Sequence, residues 1–248
     1  MQTQKAVGQN IVKRQIRFDL EIIADLIKPD SKVLDIGCND GELLSYLKKN
    51  KNTDGRGLEI SQNSVNKAIQ KGISVIQGDA EKDLSYYPDN CFDYAILSQT
   101  IQATKDPKAI LKEMLRIADF AIISLPNFAY YKNRLHLLLK GLMPVSETLP
   151  FSWYNTPNIH FCSIKDFENL CKELRLNVNN RIYLTPKQKL LKLFGNQLTA
   201  NFFAEYGIFL ISKKNLSVTG QEEFIYQPRM KLPIANTAAL SATTSKQK

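Results

Sequence analysis

The chain has 248 residues, 44% of them hydrophobic, enough to bury the core of one α/β domain with a modest insertion. Its formal net charge is +9, but +4 of that lies from residue 213 onward, where six Lys/Arg face only Glu222 and Glu223, a pattern that reads as a solvated basic tail. Zinc-finger spacing and a basic recognition helix are both missing, which argues against nucleic acid; no apolar run reaches the roughly 18 residues of a membrane span, and residues 1–17 lack the apolar stretch of a signal peptide.

In chain order, Ile16, Leu20, Ile23, Ala24 and Ile27 recur at helical spacing until Pro29 ends the pattern. A buried strand is expected at 32–36. It runs through Gly37-Cys38-Asn39-Asp40-Gly41 into a helix at 42–49, with Leu43, Leu44 and Leu47 inward. Lysines close that helix, where the backbone dipole favours cations. Gly37 and Gly41 permit backbone angles that other residues resist. A strand, a glycine turn and a helix in this order are expected to bring backbone N–H groups to a ligand outside the strand ends.

A second strand at 55–60 precedes a helix capped by Ser61, with Val65, Ala68 and Ile69 inward and Gly72 as its stop. A third strand at 73–77 leads to Gly78-Asp79. After a turn-rich link at 86–90 come a fourth strand at 92–97 and a helix started by Asp106-Pro107, which buries Ile110, Leu111, Met114 and Leu115. A fifth strand follows at 120–125. Strands alternating with amphipathic helices predict a parallel sheet covered on both faces.

The rhythm breaks between Pro126 and Cys162. Pro126, Pro144, Pro150 and Pro157 are interleaved with Phe128, Tyr130, Tyr131, Phe151, Trp153, Tyr154 and Phe161, and one helix carries Leu135, Leu138, Leu139 and Leu142 on a face. Such an excursion reads as a lid, a substrate wall or a partner surface. Ser163 and Asp166 form a capping-box pattern for a helix that buries Phe167, Leu170, Cys171 and Leu174. Strands near 178–184 and 206–212 flank an amphipathic piece with Leu190, Leu191 and Phe194. Residues 235–248, rich in Ala, Ser, Thr and Lys, are expected to be disordered. The expected organisation is one domain over 1–212, with an insertion at about 126–162, and a flexible basic tail over 213–248.

Three acids follow three strands. Asp35 either fixes the glycine turn or reaches a cofactor amine. Glu59, 24 residues on, is placed to accept both hydroxyls of a ribose, the alternative being a solvated turn residue. Asp79, 20 residues further, can border an adenine together with Ala80. The turn is Gly-x-x-x-Gly and lacks the Gly-x-Gly-x-x-Gly spacing of a dinucleotide site. With the third acid, this favours S-adenosylmethionine (SAM) or S-adenosylhomocysteine (SAH) over a nicotinamide cofactor. The expected cofactor-binding set is Asp35, Gly37, Cys38, Asn39, Gly41, Glu59, Ile60, Asp79, Ala80, Ser98 and Gln99.

A catalytic base is less visible. Gln99 and Thr100 can orient a ligand but are poor bases. His160 is a candidate proton acceptor or a loop hydrogen-bonding residue, and His136 sits at the boundary of the leucine-rich helix. Trp153 and Tyr154 can stack on a substrate or a partner, or pack the lid. The catalytic candidates are therefore His160, Gln99 and Tyr154. Cys38, Cys91, Cys162 and Cys171 form no Cys-x-x-Cys pair and, with two histidines, no metal constellation. Reduced thiols in a cytoplasmic protein are expected.

Residues 33–41, Gly57-Leu58-Glu59, Val75-Ile76-Gln77-Gly78-Asp79 and Phe92-Asp93-Tyr94 resemble the cofactor motifs of class I methyltransferases. More distinctive are 96–104 (ILSQTIQAT), Ser124-Leu125-Pro126-Asn127-Phe128, Met143-Pro144-Val145 and Trp153-Tyr154-Asn155-Thr156-Pro157-Asn158-Ile159-His160. Over about 16–212 the chain resembles the methionine biosynthesis protein MetW family. That resemblance implies a three-layer Rossmann-like class I methyltransferase fold, with a seven-stranded, mostly parallel sheet and an inserted lid. It also implies SAM binding and a role beside the homoserine O-acyltransferase MetX, which performs the acyl transfer. The runner-up is a SAM-dependent methyltransferase acting on an unidentified small molecule. One departure is Asn39, where the family usually has Gly. Asn tolerates positive φ, so the turn is expected to survive with a side chain that crowds the cofactor.

Overall fold

In the computed structural model of the chain, the described residues are 16–146, 148–185 and 197–213. The strands are β1 (Lys32–Ile36), β2 (Asp54–Glu59), β3 (Ser74–Gln77), β4 (Phe92–Ser98), β5 (Ala118–Pro126), β6 (Leu176–Leu184) and β7 (Tyr206–Lys213). They form one seven-stranded sheet in the order β3-β2-β1-β4-β5-β7-β6. Every pairing from β3 to β5 is parallel, and β7 runs antiparallel to both neighbours. The strand order reverses between β1 and β4. Connections leaving these two strands therefore diverge and open a crevice at their carboxyl ends.

Alternate side chains of the central strands enter opposite cores, as the period of two requires. Val33, Tyr94 and Ile96 pack with α1 (Phe18–Asp25), α2 (Glu42–Lys51) and α3 (Gln62–Gln70). Leu34, Ile36, Ala95 and Leu97 pack on the other side with α5 (Pro107–Ile117) and α7 (Ile164–Glu173). The short α4 (Ala80–Asp83) follows β3.

Local signals hold at the helix ends. Ser61 caps α3, Asp106 caps α5 ahead of Pro107, and both halves of the Ser163–Asp166 capping box are made. Lys51 Nζ donates to Ala24 O (2.6 Å) and to Ile27 O, joining the last turns of α1 and α2. Cations suit these carbonyl-rich ends.

One expectation about an apolar face fails. Ile69 is 55% exposed, because α3 meets the sheet edge through Val65 and Ala68 alone. The leucine face of α6 (Tyr131–Lys140) points to solvent, with Leu138 80% and Leu139 72% exposed. Instead, α6 is anchored through Asn133, whose Nδ2 donates to Phe128 O at 3.3 Å, and through Tyr131, which stacks on Phe202 of α8 (Gln197–Phe203). The piece expected around Leu190 and the tail beyond 213 lie outside the described residues.

Gly57 in β2 is required by close approach. A Cβ there would stand 2.5 Å from Cys38 Sγ and 2.9 Å from Val75 Cγ2. Gly57→Ala is expected to destabilise the protein by about 1–3 kcal/mol through overpacking. In a Cys38→Ala background the loss shrinks, since the nearest atom is gone. Urea denaturation of the four-member cycle checks this, and equal losses in both backgrounds contradict it.

Candidate cofactor site

At the carboxyl end of β1 the chain turns through Gly37 (φ 72°), Asn39 (φ 51°) and Gly41 (φ 73°), all left-handed. Asn39 thus takes the conformation expected of it, and its Oδ1 accepts from Ser64 Oγ at 3.0 Å, which ties the carboxamide to α3. Gly37 N–H donates to Leu58 O (2.7 Å), Asn39 N–H to Glu59 Oε2 (2.9 Å) and Gly41 N–H to Cys38 O (3.0 Å). These N–H groups are engaged within the protein, contrary to the expectation that the turn would offer them to a ligand. A pyrophosphate needs free donors at such a turn. A ligand whose own groups donate, such as ribose hydroxyls or an ammonium, needs acceptors instead, and acids are what converge here.

Glu59 ends β2. Its carboxylate accepts from Ser61 N–H (2.8 Å) through Oε1 and from Asn39 N–H through Oε2. A carboxylate has about four acceptor positions, so lone pairs remain for a ligand hydroxyl. Asp35 lies on β1, opposite Gly57 in the register. It is only 4% exposed. Burial pushes its pKa from 3.8 up to about 7; the nearby Glu59 charge adds to the rise, and Arg17 opposes it. Cys38 is buried beside both acids, and burial raises its thiol too.

Asp79 is tied in through the backbone, Gly78 N–H donating to Glu59 O at 3.0 Å. Its carboxylate is the N-cap of α4, accepting from Glu81 N–H (3.0 Å) and pairing with Lys82 Nζ (3.2 Å). These contacts, the Glu81 N–H foremost, hold its pKa below the usual carboxylate range. Ala80 opens α4, while Ile60 is 68% exposed beside Glu59 and offers a flat base an apolar surface.

Across the crevice, Ser98 Oγ lies 3.0 Å from Ser124 Oγ at the end of β4. Gln99 is left-handed (φ 52°), an uncommon state for a residue with a side chain. Its N–H donates to Ser124 O (2.9 Å) and its Nε2 to Asp19 Oδ2 (2.8 Å); Asp19 in turn binds Arg17 (2.9 Å). Thr100 Oγ1 stands 3.0 Å from where a Gly37 Cβ would be, so the β1 and β4 turns touch. Sequence reading missed Arg17, Asp19 and Ser64. The Asp19–Gln99 bond spans 80 residues and leaves no local signal, whereas the Ser61-x-x-Ser64 helix start was a usable hint.

The structure does not join His160 or Tyr154 to this crevice by any direct bond among the described residues. His160 Nε2 lies 3.4 Å from Lys105 O, and its imidazole borders a separate hollow with Ile101, Gln102, Cys162 and Phe167. Tyr154 sits edge-on to Trp153, both exposed. Among the described residues, no group of His, Cys, Asp and Glu could hold a metal ion, no helix is long and apolar enough to cross a membrane, and all four cysteines are free.

This sheet order and cofactor-end crevice define a class I SAM-dependent methyltransferase fold. A SAM-dependent methyltransferase of Thermotoga maritima, described as a possible histamine N-methyltransferase, superposes with a TM-score of 0.56 at 19% identity, covering 79% of this chain and 89% of that one. The family model described as Methionine biosynthesis protein MetW matches residues 17–211. The chain belongs to that family. The bifunctional methionine biosynthesis protein MetXA/MetW of Rhodopirellula baltica is 35% identical over 191 residues, which is 73% of this chain and 30% of that relative. Ajmaline N-methyltransferase of Rauvolfia serpentina is 28% identical over 160 residues, 61% of this chain and 54% of that relative. The chain thus spans less than two thirds of either relative's length.

Proposed function

We propose that this chain binds SAM or SAH at the carboxyl ends of β1 and β2, and supports a homoserine O-acyltransferase partner in methionine biosynthesis, in the cytoplasm. The observation that carries the cofactor reading is Asp35: a buried carboxyl beside Glu59, just ahead of a turn whose N–H groups are engaged. In this reading Glu59 accepts from the ribose, Asp35 meets the ammonium of the amino-acid moiety, Ile60 covers the adenine, and Asp79 and Ala80 border its edge. Gly37, Cys38, Asn39 and Gly41 shape the turn against the ligand, and Ser98 and Gln99 wall the opposite side. When bound, SAM brings an electrophilic methyl sulfonium. The support role draws on the fused MetXA/MetW relative and on His160, Tyr154 and Gln99, each of which is held by other contacts.

Calorimetry with SAM and SAH tests the first half; no heat from either at up to about 1 mM ligand removes it. The second half is tested by acyltransferase activity with and without this chain, and unchanged activity together with no complex removes it. A second reading, methyl transfer to a small molecule, draws on the N-methyltransferase relative. Incubation with SAM labelled in the methyl group and cell extract discriminates, since transfer of label into a product would favour this second reading.

A further inference from the structure

Helix α6 is amphipathic in the inverted sense. Leu135, Leu138 and Leu139 follow the i, i+3, i+4 pattern of one stripe, and Leu142, past the left-handed Gly141 that ends the helix, is 63% exposed. At 100° per residue that stripe is centred opposite Asn133, the position of the helix that is buried. The Asn133 side therefore faces the protein, and Leu135, Leu138 and Leu139 face out. A monomer gains nothing from this arrangement, and contiguous apolar surface of this kind marks an interaction site.

The surface continues beyond the helix. Tyr131 stacks on Phe202 with centroids 5.7 Å apart, and the Arg134 guanidinium lies 5.4 Å from the same ring. Phe202 and Phe203 remain partly exposed. Lys132 and Arg134 flank the leucines, and no acid lies on the helix. The excursion leaves the carboxyl end of β5, which is parallel to β4 and β1. Helix α6 therefore starts from the end of the sheet that carries the glycine turn and Glu59.

We propose that this α6 face is the docking surface for the homoserine O-acyltransferase, which meets the leucines with an apolar groove rimmed by acidic side chains. The proposal rests on the partner reading above. Two observations select this occupant. The family match spans the whole excursion, and the fused relative, matched over 191 residues, carries a MetXA portion in the same polypeptide. The basic rim, without acids, also calls for a partner of opposite charge.

The test uses the full chain and the homoserine O-acyltransferase of the same organism, in size-exclusion chromatography with light scattering and in calorimetry. Leu138→Glu/Leu139→Glu is expected to weaken the complex by about 100-fold or more, with SAH affinity and thermal midpoint unchanged, because both side chains are exposed. Lys132→Glu is expected to weaken it less and to reduce its salt dependence. If the wild type binds and the double variant binds equally, the surface assignment is wrong and the partner reading stands. If the wild type forms no complex, the partner reading itself fails, and this assignment with it. A lowered thermal midpoint of the isolated double variant would show the leucines covered by the chain itself. Loss of self-association, or of binding to phosphatidylglycerol vesicles, with acyltransferase binding intact would assign the face to a second copy or to a membrane. Each of these last results overturns the proposal.

Discussion

Folding stability is expected to fall as pH rises from about 4 to about 7, by about 4 kcal/mol from Asp35 alone, and Asp35→Asn is expected to abolish that fall. Asp35 titrates near 7 in the folded protein against an ordinary 3.8. Between those values the folded state keeps a proton that the unfolded chain has released. Rising pH therefore favours unfolding across that window, and the loss is complete above about 7. The causes are physical and named: burial first, then the Glu59 charge, with Arg17 in opposition. Asp40 and Asp79 act in the opposite direction. Their pKa values are lowered, Asp40 chiefly by Lys71 and Asp79 chiefly by the Glu81 N–H, so their contributions fade only as pH falls through those lowered values. The informative quantity is thus wild type minus Asp35→Asn, from urea denaturation at a series of pH values. A difference that does not change between pH 4 and 7 would contradict the assignment.

The same carboxyl makes a binding prediction. An ammonium placed beside Asp35 favours its ionised form. SAM binding near pH 6 is then accompanied by proton release, seen as a heat that depends on the ionisation enthalpy of the buffer. Methylthioadenosine, which lacks the amino-acid moiety, is expected to bind without that release. Equal proton release for both ligands would place the ammonium elsewhere.

Glu59→Ala is expected to lower SAH affinity by about 100-fold, near 3 kcal/mol, because it removes a charged acceptor from the ligand. It also leaves Asn39 N–H and Ser61 N–H without their acceptor, so the thermal midpoint falls as well. Glu59→Gln keeps one carbonyl oxygen and is expected to lose about 10-fold, with a smaller change in midpoint. Ser64→Ala removes only the bond to Asn39 Oδ1 and serves as the control for disturbing the turn. Affinity that follows the midpoint in all three variants would reduce Glu59 to a structural brace. Affinity that falls far more steeply at Glu59 than at Ser64 supports direct contact.

The glycine turn and the crevice acids differ in how visible they were. Gly37, Gly41 and the left-handed Asn39 follow from residue type, because their conformations are local. Glu59 and Asp79 were placed by their distance from strand ends. What Asp79 does was hidden, since its capping bond to Glu81 competes with any reach toward a ligand. The engagement of the turn's N–H groups was hidden too. It depends on Leu58 and Glu59 arriving from β2 in the register that sets Asp35 opposite Gly57.

The sequence by itself determined the order of the seven strands and of the helices other than α4 and α8, the helix caps at Ser61, Asp106 and Ser163, and the alternation of apolar side chains into two cores. These are decided within a few residues by backbone preference, capping and periodicity. Only the tertiary structure decided that the leucines of α6 face outward. Periodicity shows that a helix has an apolar side but not which neighbour occupies it, and Asn133 took the inward position through bonds to the 127–128 backbone. Only the tertiary structure, likewise, brought Asp19 to Gln99 across 80 residues and set Asp35 beside Glu59 in a buried place. Burial and the field of a neighbouring charge belong to the packed sheet, and a carboxyl that titrates near 7 exists only once that sheet has formed.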